Sequence, residues 1–340
     1  MLKRLLLPGL MHLAVICPAY FFPVQEAGAG EVPGETAGAY YSLSVENDLF
    51  ANRDRRYTSG VRISTLRAEE RLPKVFSRNL DKIPFFPEHG KKRFGFQLGQ
   101  SMFTSDDITQ SSPPENERPY AGWLYTTMEV SSDTGQQLDQ FQITLGVIGR
   151  HSLAEESQRR VHKITGSPDP KGWHTQLKSE PGIVFSYQRK WKQGREFLEL
   201  AGMGLDFSPH VGVAAGNVFT HLAAGGIVRA GFDLPDDYGP PLISPSMAGS
   251  NFFVPTNRFG WYVFAGFEGR AVARNIFLDG NTFRSSRSVD KKYFVGDIMG
   301  GAVLTFSRMR LAYTHVLRTR EFDGQDGKDT YGALTLTARF

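Results

Sequence analysis

Apolar and polar residues alternate with a period of two along most of the chain from residue 39 onward. Segments of this kind, rich in aromatic residues, Val, Leu, Thr and Gly, predict β-strands. The pattern is clearest in the final segment, YGALTLTARF, which ends on Phe340. Twelve segments are predicted, at about 39–46, 58–67, 92–101, 120–130, 138–148, 181–191, 196–208, 218–231, 260–269, 293–305, 308–317 and 330–340.

This arrangement favours an all-β fold, a transmembrane antiparallel β-barrel of about twelve strands. A membrane barrel needs strands of about 9–11 residues, an even strand number and an apolar outer face around a polar interior that tolerates glycine. The segment lengths, the terminal aromatic residue and the 26 Phe fit these requirements. Closure also pairs every strand edge, as a lipid environment demands. A secreted β-sandwich is the alternative.

The first 29 residues predict a signal peptide, which leaves residues 30–340 as the barrel domain. Lys3 and Arg4 precede a mostly apolar stretch whose prolines fit a secretory signal better than a spanning helix. Cleavage after Ala29 removes the single cysteine, Cys17, and brings the formal net charge from +4 to +3. So small a charge, without a lysine-rich tract, argues against nucleic acid as a partner. The chain is therefore expected to be exported.

Strand parity predicts which loops lie together. With twelve strands and both termini in the periplasm, three outward loops share one rim: 47–57, 102–119 and 149–180. The short links KQGR (192–195) and FSR (306–308) fall on the periplasmic side, where barrels have short turns. Two periplasmic links, 68–91 and 232–259, are too long for this rule. They either fold locally or contain further strands.

The first outward loop carries a group of hard oxygen donors. Asn47 and Asp48 end one strand, and Thr58 and Ser59 open the next. Carboxylate, amide and hydroxyl oxygens suit Ca²⁺ and suit zinc poorly. An Asx-rich turn without a metal is the plainer alternative, because Asn and Asp favour such turns.

The third outward loop predicts a short helix with a histidine. Ser152 to Glu155 has the form of a capping box, and Gly166 can end the helix. Gln158 and His162 are four residues apart and share one face, so a hydrogen bond from the glutamine can fix the imidazole. His162 is then a candidate general base near neutral pH. An ordinary surface helix with a solvated histidine is the alternative.

Two further side chains belong to the same rim. Arg118 comes shortly before the fourth strand, and its guanidinium suits a phosphate; steering of anionic lipopolysaccharide without a catalytic role is the alternative. Trp173, after the helix, is expected to anchor the loop at the membrane interface. The chain contains no GxSxG, no HExxH and no glycine-rich phosphate loop. A hydrolase with this sequence would therefore use water activated by a histidine and helped by a metal.

Five motifs together resemble the lipid A 3′-O-deacylases, a family of LpxR-like outer-membrane proteins. They are SVENDLF (44–50), YTSG (57–60), ERPYAGW (117–123), QRRVHKITG (158–166) and WHTQL (173–177). They occur in the family's order and with compatible spacing. The resemblance extends from about residue 39 to Phe340, with the later strands matching only in pattern.

The resemblance implies an outer-membrane barrel of a Gram-negative bacterium, inserted by the barrel-assembly machinery, that removes the 3′-acyloxyacyl group from lipid A with Ca²⁺. By position, His162 would be the base that activates water, with Gln158 beside it. Asp48 would bind Ca²⁺. Asn47 and Thr58 would contribute to the metal or oxyanion environment.

The resemblance also assigns the cations of the rim. Arg118 would hold a lipid A phosphate, although Glu117 stands before it where family members often have a second cation. This departure implies a weaker phosphate contact or a different substrate. Arg53, Arg55 and Arg56 would face the anionic headgroups.

Two other functions stay open on the sequence. A phospholipase-like barrel would use a serine nucleophile oriented by a histidine, with Ser59 as the candidate; in the deacylase, Ser59 is expected to contact the substrate. A porin or structural barrel would conduct ions without dependence on His162. Inward side chains leave limited room for a wide pore in a twelve-stranded barrel.

Overall fold

The computed structural model describes residues 38–48, 57–68, 87, 90–193, 203–243, 245–255 and 257–340. The predicted signal peptide, residues 1–29, lies outside this part of the chain. So do Arg53, Arg55 and Arg56 of the first outward loop.

Twelve antiparallel strands form a closed barrel in which β1 pairs with β12 and every other strand pairs with its neighbours in sequence. The prediction of a twelve-stranded barrel is therefore confirmed. The strands are β1 Tyr40–Asn47, β2 Tyr57–Ala68, β3 Lys91–Phe103, β4 Ala121–Asp133, β5 Gln137–Ile148, β6 Glu180–Trp191, β7 Met203–Gly216, β8 Phe219–Phe232, β9 Phe259–Asn275, β10 Phe294–Phe306, β11 Met309–Arg318 and β12 Asp329–Arg339.

The seventh strand differs most from its prediction, and β9 extends six residues beyond its predicted end at 269. The seventh segment was expected at 196–208, whereas β7 extends from Met203 to Gly216. The strand continues through Pro209, which faces Gly226 of β8 in the ladder. Only Asn217 and Val218 link β7 to β8, so the outward loop is a tight turn. The short periplasmic link after β10 is confirmed as the turn Ser307–Arg308.

Alternation along the strands separates two faces of the wall. The outward face carries large apolar side chains, while charged and hydroxyl side chains point inward and are almost fully buried. This is the distribution that a barrel surrounded by lipid requires. Outward examples are Phe96, Leu98, Leu222, Val263, Phe267 and Ile298; inward examples are Arg62, Glu129, Arg229, Glu268, Asp297 and Arg310.

The long link between β8 and β9 fills the inside of the barrel. We call its residues 233–258, so far as they are described, the plug. Its apolar side chains Tyr238, Phe252 and Phe253 pack against Tyr40 and other residues of the inner wall. The two alternatives that the sequence left for this link are thereby decided: it folds locally and adds no strand to the wall. The other long link, 68–91, lies largely outside the described residues.

Inward side chains of five strands bind the backbone of the plug. Buried peptide groups need partners, and a chain inside a barrel finds them on the inward-facing side chains. Cationic side chains donate to plug carbonyls: Arg62 to Leu242 at 3.0 Å, Lys190 to Gly249, and Arg310 to Ser250 and Phe252 at 2.9 and 3.1 Å. Two carboxylates accept from plug amides: Glu46 from Ile243 at 2.7 Å and Glu268 from Met247 at 2.9 Å. The lumen is therefore occupied by the chain itself.

Among the described residues, two α-helices lie in the outward loops. Helix α1 is Ala154–Thr165, and the single turn α2 is Ile276–Asp279. In α2, the ring of Phe277 stacks on Phe103 with centroids 4.0 Å apart, so this turn packs into the outer mouth of the barrel. Short 3₁₀ turns at Arg150–Ser152 and Gly172–Thr175 flank α1.

None of the helices in the described residues is long and apolar enough to cross a membrane.

Candidate functional site

The predicted site residues of the first loop begin a row that crosses four strands at the outer rim. In this row Asn47 of β1 pairs with Ser59 of β2, Ser59 pairs with Met102 of β3, and Met102 pairs with Gly122 of β4. Neighbouring strands lie about 4.8 Å apart, so the row spans about 14 Å. The residues next in sequence, such as Glu46 and Trp123, contact groups inside the barrel. The row itself therefore points outward.

Helix α1 packs on the outside of the barrel wall over this row. A Cβ atom at Gly122 would lie 2.3 Å from the Cβ of Ala154, so only glycine lets the helix approach so closely. Ala154 also packs with Met102, Tyr120 and Trp173 in a small buried cluster. The side chains of α1 are thus held between the helix and the outer wall, at the height where the outward face meets the outer rim.

The start of α1 differs from the predicted capping box. The N-cap residue is Leu153, in the left-handed conformation with φ 58°, and no side chain caps the helix. The hydroxyl of Ser152 instead donates to the carbonyl of Gly149 at 2.6 Å. The predicted end of the helix is confirmed, because Gly166 adopts φ 75° and its N–H donates to the carbonyl of His162.

Gln158 and His162 lie on the same buried face of α1. They are 2% and 5% exposed, so the alternative of a solvated surface helix does not hold at these positions. The expected hydrogen bond between them is absent. The Nε1–H of Trp173 donates to Oε1 of Gln158 at 2.6 Å, and Trp173 is fully buried rather than anchored at the membrane interface. Since Oε1 accepts this bond, the amide Nε2 is the end without a hydrogen-bond partner among the described residues.

A backbone carbonyl orients the imidazole of His162. Its Nδ1 lies 2.6 Å from the carbonyl oxygen of Pro168, and a carbonyl can only accept. Nδ1 therefore carries the proton when the ring is neutral, and Nε2 is left with the lone pair. This is the tautomer in which a histidine can take a proton from water at Nε2.

Replacing Trp173 with Phe tests how α1 is held. The change keeps an aromatic ring but removes the donor to Gln158, leaving Oε1 buried without its partner. We expect the local opening free energy of α1 to fall by about 1–3 kcal/mol. Native-state hydrogen exchange of residues 154–165 measures this value. Trp261→Phe, on the outward face of β9, is the matched control and should leave it unchanged; equal exchange in both variants would contradict the role of Trp173.

The oxygen donors of the first loop lie at the end of the same row. Asp48 is 2% exposed, whereas Asn47 is half-buried on the outward face. Ser59 pairs with Asn47, which brings Thr58 to the same end of β2, although the side chain of Thr58 is outside the described residues. Within the described part of the chain, no three His, Cys, Asp or Glu side chains cluster as a metal site.

This set of oxygen donors suits a hard cation that is bound by one charged ligand and otherwise by neutral oxygens. Asp48 would contribute one carboxylate, and Asn47 and Thr58 would contribute neutral oxygens. Calcium accepts such mixed oxygen ligands, and its affinity falls as the number of charged ligands falls. The chemistry of the donors is therefore compatible with calcium and gives no support for zinc.

Arg118 lies in the mouth of the barrel, where it is 1% exposed. Its Nη2 forms an ion pair with the carboxylate of Glu321 from the loop between β11 and β12. The guanidinium carbon lies 5.5 Å from the ring centroid of Phe103 and 5.8 Å from that of Phe322. Burial tends to raise the pKa of Glu321, but the positive charges of Arg118 and Arg318 outweigh it and hold this pKa below its usual range.

The structure thus joins some predicted residues and separates others. It places Gln158 and His162 under one helix and sets Asn47 and Ser59 in the row beside it, while the ion pair of Arg118 is to Glu321 in the loop before β12, the strand that pairs with β1. A phosphate bound to Arg118 would either share this guanidinium with the carboxylate of Glu321 or displace that carboxylate. Sequence reasoning missed the contacts from Pro168, Trp173 and Glu321. Of these, only the WHTQL motif gave a signal, and it was interpreted as a membrane anchor.

The closed wall, apolar outside and polar inside, defines this chain as a β-barrel protein of the outer membrane. The sequence model of the family described as outer membrane protein LpxR matches residues 12–340. The chain belongs to that family.

One solved structure shows the same fold. LpxR from Salmonella typhimurium matches with a TM-score of 0.71 and 21% sequence identity, covering 88% of this chain and 100% of that one. The β domain of the Bordetella autotransporter BrkA matches at a TM-score of 0.41 and 9% identity, covering 89% of this chain and 98% of that one. No curated protein sequence matched.

Proposed function

We propose that this protein is a lipid A 3′-O-deacylase that hydrolyses the ester of the 3′-linked acyloxyacyl group with water activated by His162. The observation that carries the proposal is the position of Gln158 and His162, buried between α1 and the outer face of the wall. A lipid in the outer leaflet reaches this face without entering the filled lumen. Membership of the LpxR family supports the same activity.

In the proposed reaction, His162 accepts a proton and then returns it. Nε2 takes a proton from water while the water oxygen attacks the ester carbonyl carbon. The carbon–oxygen bond to the sugar then breaks, and the proton passes to the departing 3′-oxygen. The products are a free 3′-hydroxyl and an acyloxyacyl carboxylic acid, which ionises by releasing its proton to solvent. The Nδ1 contact with Pro168 keeps the ring in the required tautomer and stabilises the imidazolium that forms.

Gln158 and the first loop supply the polar groups around the ester. The Nε2 of Gln158 carries two N–H groups without a hydrogen-bond partner among the described residues, so it can orient the water or stabilise the oxyanion. Asp48 would hold Ca²⁺, with Asn47 and Thr58 contributing oxygens to the metal or the oxyanion environment. Calcium, when bound there, would polarise the ester carbonyl and offset the charge of the oxyanion.

The remaining two residues would contact the substrate. Ser59 lies between Asn47 and Met102 in the row, and we propose that it contacts an acyl ester bound under α1. Arg118 would bind a lipid A phosphate at the mouth, in competition with Glu321. Lipid A in lipopolysaccharide is thus the proposed partner, and the barrel-assembly machinery the proposed route of insertion.

The occupied lumen counts against the porin alternative, since conduction needs a continuous aqueous path. The phospholipase alternative depends on Ser59 as a nucleophile. No hydrogen bond joins Ser59 to His162 within the described residues, and such a bond is the mark of an activated serine.

An assay on the purified protein tests the proposal and separates it from the phospholipase. We expect lipid A in detergent with Ca²⁺ to lose its 3′-acyloxyacyl group, with phospholipid unchanged. Ser59→Ala should keep most of this activity, and intact-protein mass spectrometry of the wild type should detect no acyl adduct. An acyl-serine, or release of fatty acid from phospholipid alone, would contradict the proposal.

A further inference from the structure

The tip of the plug reaches upward inside the barrel to the level of the outer rim. We use plug tip for its described residues 242, 243 and 245–247. The amide of Ile243 donates to Glu46 at 2.7 Å, and the amide of Met247 donates to Glu268 at 2.9 Å. Both carboxylates are 1% exposed. The plug tip is thus fixed to the inner wall at two separate points.

A buried chain of alternating charges extends from the second of these points to the mouth of the barrel. We call it the ion chain. Its members, in order, are Glu268, Arg270, Asp297, Arg318, Glu321 and Arg118, and none is more than 5% exposed. The successive contacts are Glu268 to Arg270 at 2.5 Å, Arg270 to Asp297 at 2.9 Å, Asp297 to Arg318 at 2.8 Å, Arg318 to Glu321 at 3.9 Å, and Glu321 to Arg118.

Such a chain holds its members in one arrangement. Each ion is compensated by the ion on either side, and moving one member leaves its neighbour buried without a counter-charge. The position of Arg118 therefore depends on contacts that begin at the plug tip. Arg318 donates to both carboxylate oxygens of Asp297 through two nitrogens of its guanidinium. A lysine in place of Arg318 would keep the positive charge but could not form this pair of contacts.

From Arg118 the connection continues to the pocket under α1. Tyr120 follows two residues later, and its ring lies 5.3 Å from that of Trp173. The carbonyl of Tyr120 also accepts from the amide of Leu177 at 2.9 Å. Trp173 in turn holds Gln158. The wall of the candidate site and its glutamine are thus attached to the outer end of the ion chain.

The first contact of the plug tip leads to the other half of the site. Glu46 points inward from β1 and is followed directly by Asn47 and Asp48. The plug tip therefore supports the oxygen donors through one strand and Arg118 through the ion chain.

We propose that the plug tip positions the lipid site on the outer wall from inside the barrel, with Glu268 and Glu46 as the positioning residues that transmit its placement. The plug is then part of the site's framework, as well as a filling of the lumen. The kinetic part of this inference rests on the proposed deacylase function; the structural coupling does not.

The test replaces Glu268 with Gln, which removes the charge that begins the ion chain. We expect the backbone amides of 117–123 and 319–325 to exchange about tenfold faster in the full-length protein in detergent. Glu129→Gln is the matched control. Glu129 is equally buried and also binds the plug, through Asn251 at 3.0 Å, but it lies outside the ion chain. It should leave both rim segments unchanged.

A kinetic readout separates positioning from general stability. Glu268→Gln should raise KM for lipid A about tenfold and lower kcat by a smaller factor, because the ion chain ends on Arg118, the proposed substrate contact, and reaches Gln158 only through Tyr120 and Trp173. Loss of folded protein alone would lower kcat by reducing the amount of enzyme. If the wild type proves inactive on lipid A, the proposed function fails, yet the exchange comparison still tests the coupling.

A second variant covers poor folding of the first. Glu268→Asp keeps the charge but is too short to reach both Met247 and Arg270, so it should give the same pattern in weaker form. Unchanged exchange at the rim in either folded variant, or equal changes in Glu129→Gln, would overturn the proposal.

Discussion

Replacing His162 with Asn is expected to lower the rate of lipid A deacylation by about 10²- to 10⁴-fold. Asparagine can keep a contact with the carbonyl of Pro168, but it has no nitrogen that accepts a proton from water. KM should change little, because the imidazole acts on the water and binds little of the lipid. Initial rates over a range of lipid A concentrations, measured by mass spectrometry, give both constants.

His174 provides a matched control in the same loop. Its Nδ1 lies 3.2 Å from the carbonyl of Lys171, so it too is a histidine bound to a backbone oxygen, but it is exposed. His174→Asn should deacylate at the wild-type rate. A fully active His162→Asn protein, or equal losses in the two variants, would remove His162 from the proposed mechanism.

The second large effect is expected at Asp48. Asp48→Asn removes the carboxylate of the oxygen donor set, and we expect the calcium-stimulated rate to fall about 100-fold or more. With one carboxylate among neutral oxygens, the wild type should need calcium on the order of 10⁻⁴–10⁻³ M. Rates measured against free calcium, with a chelator at the low end, give both values. Calcium-dependent protection of 44–48 from hydrogen exchange gives a second readout that does not depend on turnover.

Asp107 is the control for the loss of one negative charge on the same rim. It lies in the second outward loop, where hydrogen bonds from Thr109 and Gln110 hold its pKa below the usual range, so it is ionised like a metal-binding carboxylate. Asp107→Asn should leave the calcium response unchanged. Retention of that response in Asp48→Asn would exclude Asp48 as a ligand.

The wall of this barrel was predictable because it is determined by the alternation of residues within each strand. Alternation along each strand specifies an outward apolar face, as in YGALTLTARF, and closure follows because lipid offers no partner to an open strand edge. The seventh strand was misplaced because Pro209 lies within it. Proline has no N–H for the ladder and therefore argues against a central strand; here the continuous pairing of β7 with β6 ends at His210, and Pro209 pairs only with β8. The tight turn at Asn217 and Val218 was hidden by an alternation that continues across it.

The plug and the contacts of the site were not predictable in the same way. The composition of 233–258 is that of a loop, and its order comes from contacts with inward side chains that lie 21 to 197 residues away in sequence, from Glu268 with Met247 to Glu46 with Ile243. The helix and the pair of Gln158 and His162 could be inferred from spacing. Which group fixes each of them could not, because Pro168 and Trp173 reach them through tertiary folding.

The most direct test of the account is the mass of lipid A from Gram-negative cells that produce either the wild-type protein or His162→Asn. Both proteins must be shown to be folded and inserted in the outer membrane. We predict that lipid A loses the mass of one acyloxyacyl group only with the wild type. Unaltered lipid A in both strains, or the same loss in both, would contradict the proposal that His162 on the outer wall of this barrel deacylates lipid A.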